Sequence, residues 1–134
     1  IKNMKNQFIS AFAANDPDST LKVWNLISEN NSNKKCVFLN TRDDRRYRTL
    51  QLIDLVYSYI QPELFIIRGD SLTSITDKYK NKGVKLKLFS MLTPQDEIIS
   101  YMINLDSHLI MGIGNIVGWG DEFLKKLEKY KVNV

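Results

Sequence analysis

The sequence predicts an α/β protein: a Rossmann-like three-layer α/β/α sandwich on a mostly parallel sheet of five or six strands. Three observations predict it. Short apolar runs alternate strictly with longer stretches of helical spacing, the pattern that packs helices on both faces of a parallel sheet. Four of the five runs are continuously apolar, as strands covered on both faces should be. Three runs lead straight into turns dense in Asn, Asp, Arg or Gly.

The first run, Phe8–Ala14, reads as a buried strand entering the polar turn Asn15-Asp16-Pro17-Asp18-Ser19-Thr20. Leu21, Trp24 and Ile27 then share one helical face. Asp18 or Ser19 is placed to cap that helix, and Pro17 to stiffen its entry. The second run, Val37–Leu39, leads into Asn40–Thr49, after which Leu52, Ile53, Val56, Tyr59 and Ile60 form a wide apolar stripe. The third, Leu64–Ile67, ends in Arg68-Gly69-Asp70, which reads as a plain turn, and Ser71 is the expected cap of a helix carrying Leu72, Ile75 and Tyr79. The Val84–Phe89 run alternates Val-Lys-Leu-Lys-Leu, which places it nearer a sheet edge. Thr93-Pro94 opens the fourth helix, the hydroxyl as cap and proline in the first helical position, with Ile98, Ile99, Met102 and Ile103 facing inward. His108 begins the last run, Leu109–Ile113, as a packed or surface residue. Phe123, Leu124, Leu127 and Tyr130 line the fifth helix.

A length of 134 residues suits one domain, 1–134, with a core of its own. No apolar run reaches the roughly 18–20 residues that span a bilayer, and no apolar segment follows the polar first residues as a secretory signal requires. A cytoplasmic compartment is the default. Cys36, the only cysteine, is expected as a reduced core residue. One His and one Cys argue against a conventional zinc centre, and no metal site is expected. The chain starts at Ile1 with its first strand a few residues in, which reads as a piece of a longer polypeptide.

The net charge of +4 is modest, but four of the five arginines (Arg42, Arg45, Arg46, Arg48) fall within seven residues. Scattered lysines solvate a surface, whereas clustered arginines suit bidentate recognition of phosphate or carboxylate. If the strands are parallel, every strand-to-helix loop lies at the same sheet edge, where α/β proteins bind ligands. The arginine loop then faces the Asn15–Thr20 turn and the glycine turn Gly112-Ile113-Gly114-Asn115-Ile116-Val117-Gly118. Arg42, Arg45 and Arg48 recur every three residues, so a helical first turn puts them on one side. Asp43 and Asp44 could instead pair with them internally. The glycine spacing is not the dinucleotide fingerprint, and the chain has no G-x-x-x-x-G-K-[ST] loop to cradle a triphosphate by itself.

In order, F-A-A-N-D-P-D-S-T-L, R-x-D-R-x-x-R-T and G-I-G-N-I-x-G resemble the ligase subunit of poly-γ-glutamate synthase (CapB/PgsB type). More distantly they resemble the C-terminal domain of Mur ligases and folylpolyglutamate synthetase. The likeness runs from Phe8 to Lys131. It implies the C-terminal domain of an ATP-dependent amide ligase, with ATP and Mg2+ bound mainly by an N-terminal P-loop domain. It also implies glutamate and poly-γ-glutamate as substrates, membrane subunits of a synthase complex as partners, and a place at the inner face of the cell membrane. No turnover is expected from this chain alone.

The implied binding residues are Asn15, Asp16, Ser19 and Thr20 for a ribose, an amine or a carboxylate. Arg42, Asp44, Arg45, Arg48 and Thr49 form the anion-binding motif, and Gly112, Gly114 and Asn115 allow close backbone approach. Asp16 is a candidate for orienting or deprotonating the incoming amine. Three departures stand out: Asn15 replaces the histidine and Phe12 the aspartate of the Mur first turn, and Val117 stands where a histidine is expected in the capsule-type subfamily.

Two other readings share the alternation. A receiver-type signalling module would cast Asp16, Asp18 and Asp70, but no lysine follows the last strand. Nucleic-acid binding through Arg42–Arg48 with Tyr47 interleaved is opposed by Asp43 and Asp44 within the patch and by the weak overall charge. No nucleic-acid partner is expected.

Overall fold

Each apolar run becomes a strand in the computed structural model, which describes residues 6–14 and 16–130. The elements are β1 (Gln7–Ser10), α1 (Pro17–Ser28), β2 (Lys34–Asn40), α2 (Arg46–Leu55), β3 (Leu64–Arg68), α3 (Thr73–Thr76), β4 (Lys85–Phe89), α4 (Gln95–Ile103), β5 (His108–Gly114) and α5 (Trp119–Glu128). A 3-10 turn, Asp43–Arg45, precedes α2, and a π-helical turn, Val56–Ile60, extends it. The five strands form one all-parallel sheet in the order β1-β5-β2-β3-β4.

Crossover handedness places the helices. The chain steps in one direction from β1 through β2 and β3 to β4, so right-handed connections put α1, α2 and α3 on one face. The return from β4 to β5 runs the other way and puts α4 on the opposite face, where α5 packs beside it. Two cores follow from this. Trp24, Leu52, Ile53, Val56 and Leu72 pack on Val37, Leu39, Phe65, Ile67, Met111 and Ile113. Ile98, Ile99, Met102 and Phe123 pack on Cys36, Phe38, Leu64, Ile66 and Ile110. Each central strand is thus covered on both sides, which is why its letters are apolar without alternation.

The structure corrects several expectations. β1 is a four-residue edge strand, half exposed, rather than a buried strand reaching Ala14. It pairs only with β5, and the chain leaves the sheet at Ala11, where the Ala14 N–H donates back to the Ala11 carbonyl at 3.0 Å. That turn drops Phe12 into the core. β4 forms the other edge, as its alternation predicts. Asp16, not Asp18 or Ser19, caps α1, because its Oδ1 accepts the Ser19 N–H at 2.8 Å. Ser71 takes a left-handed conformation (φ 57°) and caps nothing. Pro94 is the residue before α4 rather than its first residue, held extended at ψ 144°, and Thr93 makes no cap bond. Tyr57, four residues after Ile53, is the tyrosine that faces inward, stacked on Tyr79 at 4.6 Å, while Tyr59 is exposed.

Candidate functional site

β5, whose loop runs to α5, lies between β1 and β2, whose loops run to helices on the other face. Loops that diverge in this way leave a crevice at the carboxyl ends of adjacent strands. A pocket of about 400 Å³ opens there, lined by Phe12 and Ala14 of the first loop, by Asn40, Thr41, Arg42, Arg45, Arg48 and Thr49, and by residues 114–117 of the glycine loop. None of its described lining residues is acidic. A larger groove of about 900 Å³ runs along β1, lined largely by apolar residues such as Phe8, Met102, Ile110 and Leu124. The smaller pocket is the functional candidate, because specific sites are marked by convergent polar groups rather than by volume.

The arginines stand where helix electrostatics opposes them. Arg45 is the residue before α2, makes no side-chain cap, and the first turn of α2 has no acidic residue. The N-terminal end of a helix carries partial positive charge, so cations there repel it. A bound anion would relieve that repulsion. Arg42 is partly neutralised by a forked pair to Asp44, Nε to Oδ1 at 2.8 Å and Nη2 to Oδ2 at 2.6 Å. This hydrogen bonding holds the exposed Asp44 carboxyl below its ordinary range. Arg46 turns away and donates to the Ser71 carbonyl at 3.1 Å.

The pocket wall between the arginine and glycine loops is built on one rung of the sheet, on which Gly114, Asn40 and Arg68 are in register across β5, β2 and β3. Asn40 is fully buried. Its carbonyl accepts the Asn115 N–H at 2.8 Å, and its Nδ2 donates to the Asn115 carbonyl at 2.7 Å. Its Oδ1 accepts from Nη1 of Arg68 at 2.7 Å. Arg68 also donates through Nη2 to the Met91 carbonyl at 3.0 Å, and its guanidinium lies 4.1 Å from the centre of the Trp119 ring. Burial lowers the Arg68 pKa, opposed by the fields of Asp70 and Asp43.

With this geometry in place, comparison with known proteins decides the family. The model described as poly-gamma-glutamate synthase CapB C-terminal domain matches residues 1–130. The chain belongs to this family. It is 31% identical over 130 residues to PGA synthase CapB of Bacillus subtilis (strain 168), covering 93% of this chain and 33% of that protein. To Capsule biosynthesis protein CapB of Bacillus anthracis it is 29% identical over 130 residues, covering 93% of this chain and 28% of that protein. The chain therefore spans about a third of the length of the curated relatives it matches. No solved structure matches it.

In this CapB-family domain the structure brings Arg42, Arg45, Arg48, Thr49, Gly114 and Asn115 to one pocket. It does not bring Asp16, Ser19, Thr20, Asp44 or Gly112 to the lining. Asp16 and Ser19 are engaged with each other, the Ser19 hydroxyl donating to Asp16 Oδ2 at 3.0 Å. Those bonds, backbone first, hold the Asp16 carboxyl below its ordinary value, with a smaller contribution from Arg48. Thr20 is buried and donates to the carbonyl of Ala14 at 3.3 Å, supporting a pocket residue from behind. Gly112 lies inside β5, where a Cβ would come within 2.7 Å of the Phe8 and Phe12 rings. It therefore makes room for side chains rather than for a ligand. Asn15 lies outside the described residues.

Sequence reasoning missed Asn40 as a site residue and read Arg68 as part of a turn. A signal for both is present: each is a polar residue ending a continuously apolar run, Val37–Leu39 or Leu64–Ile67. A polar side chain in that place is buried at the ligand edge and must find partners there.

Proposed function

We propose that this domain supplies the anion-binding wall of an ATP-dependent amide ligase that lengthens poly-γ-glutamate. The observation that carries the reading is the convergence of three arginines and two asparagines on one strand-end pocket, in a family whose Bacillus subtilis relative is named a PGA synthase. In this reaction the terminal carboxylate of the polymer takes a phosphoryl group from ATP. The amine of the incoming glutamate then attacks the acyl carbon; the C–N bond forms, the C–O bond to phosphate breaks, and the amine loses a proton.

Arg42, Arg45 and Arg48 bind the carboxylate and phosphate groups, and their fixed charge stabilises negative charge that builds at the acyl phosphate. Asn40 holds Asn115 so that the glycine loop approaches the ligand. The Ser19 hydrogen bonds hold the Asp16 carboxyl below its ordinary value, which favours its charged form, makes it a poor general base and suits it to attract the ammonium group of glutamate. The pocket fits the anionic ends of substrates better than a hydrated metal. Its described lining has no carboxylate, and no group of three or more His, Cys, Asp or Glu among the described residues could hold a metal ion. ATP with Mg2+ is accordingly assigned to a P-loop domain elsewhere in the full-length protein. The membrane subunits of a synthase complex are the remaining partners of this reading, on the cytoplasmic side. No helix of the described residues is long and apolar enough to cross a membrane.

A receiver-type module is disfavoured by the sign of the pocket, since that chemistry needs a carboxylate cluster where this chain has arginines. The ligase reading is tested in the full-length protein with acceptor polymer whose terminal carboxylate carries heavy oxygen. Transfer of one labelled oxygen into the released phosphate, dependent on glutamate and lost in Arg45→Ala, is expected. Phosphate released without label would contradict the acyl-phosphate route.

A further inference from the structure

The geometry points to Arg68 as a positioning residue for the pocket: its buried guanidinium orients the Asn40 amide, and Asn40 in turn locks the Asn115 loop. The inference rests on the anion-site reading above and adds a residue that does not line the pocket.

Arg68 is 7% exposed, and among the described residues no carboxylate lies within ion-pairing distance of it. Its Nε has no hydrogen-bond partner among them. A buried cation of this kind is costly, and an apolar side chain of similar volume is commonly tolerated better. Stability alone therefore gives little reason for arginine here. Its contacts do give one. The fork reaches two acceptors at once, Asn40 Oδ1 on β2 and the Met91 carbonyl after β4, while Trp119 covers its face.

An asparagine amide can flip, and only one orientation serves this site. With Oδ1 toward Arg68, the NH₂ group must face the Asn115 carbonyl, where it donates at 2.7 Å. With the flip reversed, an NH₂ group would face the guanidinium and an oxygen would face a carbonyl. Arg68 forbids that state, because arginine has only donors. The resulting chain, guanidinium to amide to carbonyl, consists of bonds that polarise one another. It ends on a loop that forms the pocket wall. The positive charge also stands one side chain behind the pocket, where low dielectric preserves its field.

The test compares wild type with Arg68→Met, Arg68→Lys and Asn40→Asp by amide hydrogen exchange and by binding of inorganic phosphate. In Arg68→Met the Asn115 amide should exchange at least about tenfold faster, while the Ser19 amide, held by Asp16, is unchanged. Phosphate affinity should fall about tenfold. Arg68→Lys keeps charge but not the fork, and should rescue affinity only in part. Asn40→Asp gives Arg68 an anionic partner yet removes the donor to Asn115, and should release the loop with Arg68 in place; Arg68→Lys, which loses the fork, keeps the test of Arg68 open if Arg68→Met fails to fold. Unchanged Asn115 exchange in Arg68→Met, or in Arg68→Lys where Arg68→Met fails to fold, would overturn the inference even where wild type binds phosphate. Faster exchange in a protein that binds no phosphate would leave the positioning role standing and remove the anion-site reading instead.

Discussion

Gly114 lies directly against the backbone of Asn40: a Cβ at position 114 would sit 2.3 Å from the Asn40 carbonyl oxygen, and Gly114 itself has φ 98°. Both facts exclude any other residue without rearrangement, and the same carbonyl accepts the next amide, that of Asn115. The glycine loop therefore follows β2 closely because its first residue has no side chain. Gly114→Ala should destabilise the fold by about 2–4 kcal/mol, through a strained backbone and a steric clash together. Urea unfolding measures the cost. A change below about 0.5 kcal/mol, the range of surface substitutions, would show that the loop adapts freely.

Arg45 separates binding from stability. It stands at the N-terminal end of α2, where the helix field opposes a cation. Arg45→Ala should weaken phosphate binding about tenfold or more, since a charge-assisted hydrogen bond is lost. Its stability at low salt should rise by roughly 0.3–1 kcal/mol. A variant that loses both stability and binding would mark Arg45 as structural.

Asp16 gives a pH signature. Hydrogen bonds from Ser19 hold its carboxyl below the ordinary value of 3.8. A native pKa below the unfolded one means that the stabilisation is complete above the unfolded value and is lost as pH falls through the native value. The gap in urea midpoint between wild type and Asp16→Ala should be constant near neutrality and close as pH drops below 3.8. A gap that closes instead at alkaline pH would contradict the capping role.

Cys36 should be chemically silent in the folded protein. It is completely buried in β2, and burial pushes its thiol well above the ordinary range. Labelling by a thiol reagent should proceed at the rate of opening and accelerate with denaturant. Fast labelling of the native state would mean that the core beside α4 is open.

The sheet and its order of layers were legible because one physical rule governs them. Strands covered on both faces carry uninterrupted apolar letters, as in Leu64–Ile67 and Leu109–Ile113. The edge position of β4 showed in its alternating lysines. β1 misleads because Phe8, Ala11 and Phe12 are all apolar, yet only tertiary contacts reveal that the chain leaves the sheet at Ala11 so that Phe12 can fill the core. The three-residue recurrence of Arg42, Arg45 and Arg48 was enough to place them together. The Asn40–Arg68 bond was not legible. It depends on β2 and β3 being adjacent and in register, which is a property of topology rather than of either run. Gly112 shows the reverse limit, since a glycine beside a ligand loop and a glycine beneath two phenylalanines read alike.

We place the anion site in the pocket at the ends of β1, β5 and β2. The most direct measurement is an amide chemical-shift titration of the chain with inorganic phosphate and with glutamate. Saturable shifts confined to residues 41–49 and 114–117, needing at least about tenfold more phosphate to saturate in Arg45→Ala, are the predicted result. Saturable shifts along β1 and α5 instead, or shifts that persist unchanged in Arg45→Ala, would contradict it.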